Sequence, residues 1–454
     1  MATAQISTPS AFGVSRTRLA FRKPRNPYLL AAAIMMASGS VVFREPAPYD
    51  IALVLLLVTG ILLNRLSFEK NHRLALVLLA GFIAANFIPL PNAVAPHTAL
   101  AYSAISFYLA ASWLFFAGVT STYGYAAAKA LLKGYIAAGL LSATLATLAY
   151  LHAIPFQSTL LRYGRAQGLF KDPNVYGPYL VPVLLCGLVA VQSARILSLR
   201  FWGALVTCSI SIVGIFVSFS RACWINTAVS VVFLLGFELL DSLRQGGIRK
   251  GVLRVPVTLA AVAAITVIFI AANSATGQML FTRLGSNGLH DYDATRFNTQ
   301  RKALDSFLNN PVGIGTRQSE FVFQYATHNI YLRVLTENGF LGFATFFTFI
   351  ALSLLRCMKL ALTLKNRHWR TLFVILSSAL AGLLVNGFVI DTIRWRHFWF
   401  LLGLAWCTPA KKFSAKRWLA ERAAWRASMA SVRRTNLRLI GSRTEPETAT
   451  EPAS

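Results

Sequence analysis

Long apolar stretches separated by short polar and basic ones recur along the chain from Tyr28 to Cys407. A bilayer core takes about 20 mostly apolar residues per helical span. Twelve segments meet or approach that length: 28–43, 50–66, 73–90, 97–119, 134–154, 175–193, 203–219, 223–241, 254–273, 331–355, 371–390 and 396–408. The first, second and last are short. The pattern predicts an all-α, polytopic integral membrane protein of about 12 transmembrane helices. It divides into a basic N-terminus (1–27), a transmembrane domain (28–408) and a basic tail (409–454) whose last dozen residues are disordered. The longest loop, 273–328, contains an apolar pattern at helical spacing over 293–308, so a short amphipathic helix is expected there.

Composition agrees. The 454 residues are 56% hydrophobic and only 13% charged, too apolar for one soluble core. The formal net charge of +28 first suggests nucleic acid, but its distribution excludes it. Of 44 Lys and Arg, 31 fall in the N-terminus, in every second loop and in the tail. That bias places both termini in the cytoplasm. Trp418, Leu419, Trp425 and Leu439, interleaved with the basic residues of the tail, suit a helix lying on the anionic leaflet. Met1–Pro27 lacks the features of a cleaved signal peptide. The five cysteines have no paired spacing and are expected as packing residues, with no disulfide or metal site.

The exceptions to the charge bias carry the chemical interest. Arg162, Arg165 and Lys171 fall outside, between the fifth and sixth spans; Arg221 falls at the outer mouth between the seventh and eighth. An arginine placed there is expected to snorkel or to face a cavity. Gly164–Pro178 surrounds Arg165 with glycines, a proline and an Asp172-Pro173-Asn174 turn. Asn174 is a candidate cap for the sixth span, and Arg165, Lys171 and that helix end together suit a phosphate. Thr327–Gly339 re-enters the membrane with His328 and Asn329 at its head, and Arg333 precedes Glu337 by one helical turn.

Gly164–Gly177 (GRAQGLFKDPNVYG), Ser218–Trp224 (SFSRACW), Asn310–Gly315 (NPVGIG) and His328–Gly339 (HNIYLRVLTENG) follow in that order at the ends of spans. Together they resemble the O-antigen ligase superfamily, which also contains O-antigen polymerases. The resemblance runs from about the fifth to the eleventh span. It implies a bacterial inner-membrane glycosyltransferase that works on the periplasmic face without cofactor or metal. Such an enzyme moves an undecaprenyl diphosphate-linked glycan to a sugar hydroxyl, with inversion. The acceptor is another glycan or a lipid A-core, and membrane lipids and other polysaccharide assembly proteins are its further partners. The resemblance also implies that Arg165, Arg221 and Arg296 hold the diphosphate and that His328 is the base. Lys171, Asp172, Asn174, Asn329 and Glu337 are secondary candidates. A transporter or flippase of lipid-linked glycans is the alternative; it would need mid-membrane charges and a repeat between halves, and neither is evident.

Overall fold

The computed structural model describes residues 26–196, 198–247, 250–271, 274–284 and 290–409. The interfacial helix and disorder expected for the tail, and most of the basic N-terminus, lie outside these residues, as do the side chains of Arg283, Asp291 and Asp293.

The chain is an all-α bundle. Twelve apolar helices fall on the twelve expected segments: α1 (Pro27–Ala37), α2 (Pro48–Leu62), α3 (Arg73–Phe87), α4 (Pro96–Tyr123), α5 (Tyr125–Tyr150), α7 (Pro173–Ser193), α8 (Leu199–Val217), α9 (Arg221–Arg244), α10 (Lys250–Ala271), α14 (Ile330–Thr363), α15 (Arg367–Asn386) and α16 (Arg396–Ala405). Four more lie between them: α6 (Gln157–Leu160), α11 (Ser274–Leu284), α12 (His290–Asn309) and α13 (Ser319–Val322). The expected amphipathic helix is α12, longer than its pattern suggested and accompanied by α11.

The count of spans needs correction. Among the described residues, nine helices are long and apolar enough to cross a membrane, α3 counting together with the helical turns that flank it (Lys70–Asn92). The other three, α1, α2 and α16, have 11, 15 and 10 residues. At 1.5 Å per residue they reach roughly 15–23 Å, less than a hydrocarbon core of about 30 Å. The loop expected at 129–133 is also absent. Gly124 alone separates α4 from α5, and Lys129 and Lys133 lie in the first turns of α5.

Successive long helices run antiparallel, so loops gather at two ends. One end holds the basic loops, including Arg65, Arg195 and Arg254, and ties them inward: Arg65 donates to Tyr123 Oη at 3.2 Å and Arg254 to the Ala194 carbonyl at 2.8 Å. The other end is irregular and holds every candidate site residue. Its one pair of strands among the described residues, β1 (Leu161–Arg162) and β2 (Arg165–Ala166), turns through Tyr163 and Gly164, both at positive φ. That is the turn that matches strand twist in a two-residue hairpin.

α14 is not continuous. At Gly339 its backbone turns to φ 65° and ψ −170°. The amide of Phe340, which would have bonded Thr336, instead donates to the Pro311 carbonyl at 2.9 Å. The amides of Ile314 and Gly315 donate to the released carbonyls of Thr336 and Glu337, both at 3.0 Å. The 311–315 segment therefore fills the break and satisfies groups that lipid could not. Only glycine fits on both sides: a Cβ on Gly339 would lie 2.4 Å from Val312, and one on Gly313 (φ 103°) would lie 2.6 Å from the Glu337 carbonyl.

Gly339→Val and Gly313→Val should each destabilise the protein by more than the ~1–2 kcal/mol that left-handed backbone alone costs a side chain. Thermal unfolding of the detergent-purified variants measures it. Gly236→Ala, in a helix with open space around it, should unfold at or above the wild-type temperature.

Candidate active site

The irregular end surrounds a cavity of about 840 Å³. Its walls come from the β2–α7 segment, the α8–α9 turn, α12, the chain from Arg317 to Arg333, and the loop between α15 and α16. Arg165, Arg221, Arg296 and His328 all line it, with Asp172 and Asn174. Segments up to 230 residues apart, from Arg165 to Trp395, thus converge on one space.

Each is held by identifiable local structure. Arg165 follows the hairpin turn and is buried; its Nε donates to the Ser218 carbonyl at 2.8 Å and its Nη2 to Asn174 Oδ1 at 2.8 Å. The expected cap of α7 is corrected here. Asp172 is the cap, accepting from the Asn174 amide at 2.7 Å, and the Asn174 side chain is taken by Arg165 instead. A carboxylate at that cap also complements the helix dipole. Ser220 caps α9, so Arg221 occupies its first turn, half-buried and without a hydrogen-bond or ion-pair partner among the described residues. Arg296 projects from α12; Nη2 reaches the Phe388 carbonyl at 3.5 Å, while its buried Nε has no partner among the described residues. The N-termini of α7 and α9 add partial positive charge to this wall.

His328 precedes α14 in left-handed backbone (φ 46°), with its ring edge against Tyr325. Burial holds the imidazole below its ordinary value, and the Arg333 and Arg296 charges push the same way; Asp391 and Glu320 oppose them more weakly. The ring is therefore neutral near pH 7. Asn329 lies behind it as the cap of α14, accepting from the amides of Tyr331 and Leu332 at 2.9 and 3.1 Å.

Three secondary candidates do not line the cavity. Asn329 is occupied by its cap. Lys171 pairs with Glu45 at 3.5 Å. Glu337 is 1% exposed and belongs to a buried ionic cluster instead. There Arg333, 3% exposed, meets Glu337 at 3.3 Å and also pairs with Glu320 and Asp391. Arg317 joins through Glu320 at 3.0 Å, and its amide donates to Glu337 at 2.7 Å. Arg394 joins through Asp391 at 3.5 Å and Glu337 at 3.9 Å. Arg394 and Arg317 both lie over the Tyr102 ring, at 4.5 and 5.0 Å. Burial pushes the Asp391 carboxyl up, but Arg333 and Arg394 outweigh it and leave it below the ordinary carboxylate range. Three guanidiniums and three carboxylates cancel.

Sequence reasoning missed most of this cluster. The Arg333–Glu337 spacing was the one pair singled out in the sequence. Glu320 comes from α13, and Asp391 and Arg394 from the loop between α15 and α16, and no periodicity announces their approach to Arg333.

Residues 206–347, from α8 through the break in α14, match the family model described as O-antigen ligase. Over this stretch the chain is similar to O-antigen ligases. The matched stretch includes Arg221, Arg296, His328 and Arg333, whereas Arg165 and the Asp391 loop come to the cavity from outside it. No curated protein matches the chain. This similarity and the nine membrane-length helices among the described residues indicate a multi-pass bacterial membrane protein.

Removing one member of a buried, balanced ion cluster strands its partners. Arg333→Met should destabilise the protein by about 3–5 kcal/mol. Denaturation of the purified protein checks this, and Arg301→Met on the exposed face of α12 should shift stability by less than ~0.5 kcal/mol.

Proposed function

We propose that the cavity faces the periplasm and transfers a glycan from undecaprenyl diphosphate to a sugar hydroxyl. The observation that carries this reading is the convergence of Arg165, Arg221, Arg296 and His328 on one cavity, the last three from the stretch similar to O-antigen ligases. The basic loops at the opposite end of the bundle support the orientation, because cytoplasmic loops are enriched in Lys and Arg. The basic residues of both terminal segments support cytoplasmic termini, and an undecaprenyl-linked donor would put the protein in the inner membrane.

Arg221 and Arg296 have no carboxylate partner among the described residues. They supply charge for a diphosphate, with Arg165 and the α9 N-terminus beside them. Guanidinium forks match phosphate oxygens better than an ammonium does. In the reaction the anomeric carbon–oxygen bond to the diphosphate breaks, and its electron pair leaves with undecaprenyl diphosphate. The acceptor oxygen forms the new bond to that carbon, and its proton passes to neutral His328. The arginines stabilise the charge that develops on the leaving oxygen. Attack opposite the leaving group inverts the anomeric centre, and the step draws on these side chains without metal or cofactor. Asp172 and Asn174 are positioning residues: they fix α7 and the Arg165 guanidinium.

The test uses the purified protein with a defined undecaprenyl diphosphate-linked oligosaccharide, scoring undecaprenyl diphosphate release and glycan transfer. His328→Ala should lower kcat/KM by about 10²–10⁴, and Arg221→Ala by about 10²–10³, with membrane insertion unchanged. Near-normal transfer by both variants would sink the assignment, and movement of intact lipid-linked glycan across vesicles without release would mark a flippase instead. The pH profile adds an independent sign. A base active when neutral, held below its ordinary value, gives an acidic limb below about 6.5. Arg296→Gln removes one of the charges holding it down, so the limb should move to higher pH.

A further inference from the structure

Helix α12 is exposed on two sides of opposite character. Thr299 and Ala303 are buried against the bundle, and Arg296 and Gln300 flank them, half-buried. Away from that contact, Phe297, Leu304 and Leu308 fall within about 40° of one another around the helix axis. They are 62%, 43% and 69% exposed. Asn298, Lys302, Asp305 and Asn309 form a second exposed strip, centred about 100° further round. Exposed Arg301 stands between the two strips. A helix shared between protein and water needs one apolar side and one polar side. This helix has a second apolar side, so it meets three surroundings.

The apolar strip continues into the exposed surface of the spans. Leu308 leads to Val312, also exposed, and the adjacent Pro311 carbonyl accepts from the amide of Phe340. Phe340 and Leu341 are exposed on α14 just beyond its break. From Phe340 to Lys359 that part of α14 rises about 30 Å, the thickness of one hydrocarbon core. The break therefore stands at the edge of the core, and α12 is attached beside it. The Thr336 hydroxyl donates to the Ala303 carbonyl at 3.0 Å. At the other end of the helix, Arg296 Nη2 reaches the carbonyl of Phe388, an exposed residue just past the end of α15, at 3.5 Å. α12 thus runs along the rim where α14 and α15 leave the membrane.

We infer that α12 is an interfacial helix whose Phe297–Leu304–Leu308 strip is seated in the leaflet on the cavity side of the membrane. Its partner is the boundary between acyl chains and headgroups, where a helix with separate apolar and polar sides rests. Arg301, at the edge of the strip, reaches the headgroups by snorkelling, and the Asn298–Asn309 strip faces water. Arg296 lines the cavity and Phe297 stands at its rim, so the seated helix ties the leaflet surface to the cavity wall. The seating is the same whichever reaction the cavity performs.

Spin labelling of the full-length protein in phospholipid nanodiscs tests it. One nitroxide is attached in each of Leu304→Cys, Leu308→Cys, Asn298→Cys and Lys302→Cys. All four positions are exposed, so the variants should fold normally. Unsubstituted protein carried through the same labelling gives the background of the native cysteines, and Val77→Cys, exposed on α3, gives a lipid-facing reference. Collision of each label with dissolved oxygen and with a water-soluble nickel complex is then measured. The oxygen-to-nickel ratio at 304 and 308 should exceed that at 298 and 302 severalfold and approach the reference. Ready access of the nickel complex to 304 and 308 would mean that the strip faces water, and would overturn the inference. Shielding of 304 and 308 from both reagents would mark a protein partner or a second copy of the chain instead, and would overturn it too. Lipid-like ratios at all four positions would bury the helix within the core and remove the interfacial placement.

Discussion

The organisation of this protein depends on the break in α14 and on the segment that fills it. A helix interrupted at membrane depth releases carbonyls and amides that lipid cannot bond. Here the 311–315 segment supplies their partners, through the Pro311 carbonyl and the Ile314 and Gly315 amides. Docking that segment brings Arg317 and Glu320 against the first half of α14, where Arg333 and Glu337 stand. It also fixes the direction from which His328 reaches the cavity. Once the break is sealed, the α12 side follows: the Thr336 hydroxyl donates to the Ala303 carbonyl at 3.0 Å, and the Gln300 side chain to the Thr327 carbonyl at 3.2 Å.

The sealed end sorts its arginines by their neighbours. Arg317, Arg333 and Arg394 are matched by Glu320, Glu337 and Asp391, and their joint work is to hold three separate stretches of chain together. Charges so deeply placed persist only when paired and hydrogen-bonded. Arg221 and Arg296 stand a few residues of wall away with no such carboxylate among the described residues. The same side chain therefore acts as structural tie or as exposed charge according to which loop folds beside it. The balanced cluster also bears on the imidazole: Arg333 lowers it, while Asp391 and Glu320 restrain the shift.

The short helices belong to the same design. α1, α2 and α16 do not traverse a full hydrocarbon core by length, and the loops at their irregular ends lie close to α7 and α4. Val42 donates to the Leu169 carbonyl at 2.9 Å, and Arg396 reaches Asp50 at the start of α2. An apolar groove between α2 and α4 lies in this region.

The sequence by itself determined the class, the order of the spans and the end of the bundle where chemistry gathers. Those properties follow from hydrophobic length and from Lys and Arg placement, which act residue by residue against a uniform solvent. It also offered Arg165 and Arg221 as candidates, since arginines on the less basic side stand out individually; His328 stood at the head of a polar re-entering run, and Arg296 came through the family resemblance. Tertiary structure alone decided that Asp172 rather than Asn174 caps α7, that Glu337 is withdrawn into an ion cluster, and that Lys171 turns away to Glu45. It decided too that Asn310–Gly315 and the Gly339 turn are two halves of one junction. Each of these depends on which loop meets which across the irregular end. Such contacts join residues far apart in the chain through hydrogen bonds and ion pairs, which leave no periodic trace in the sequence.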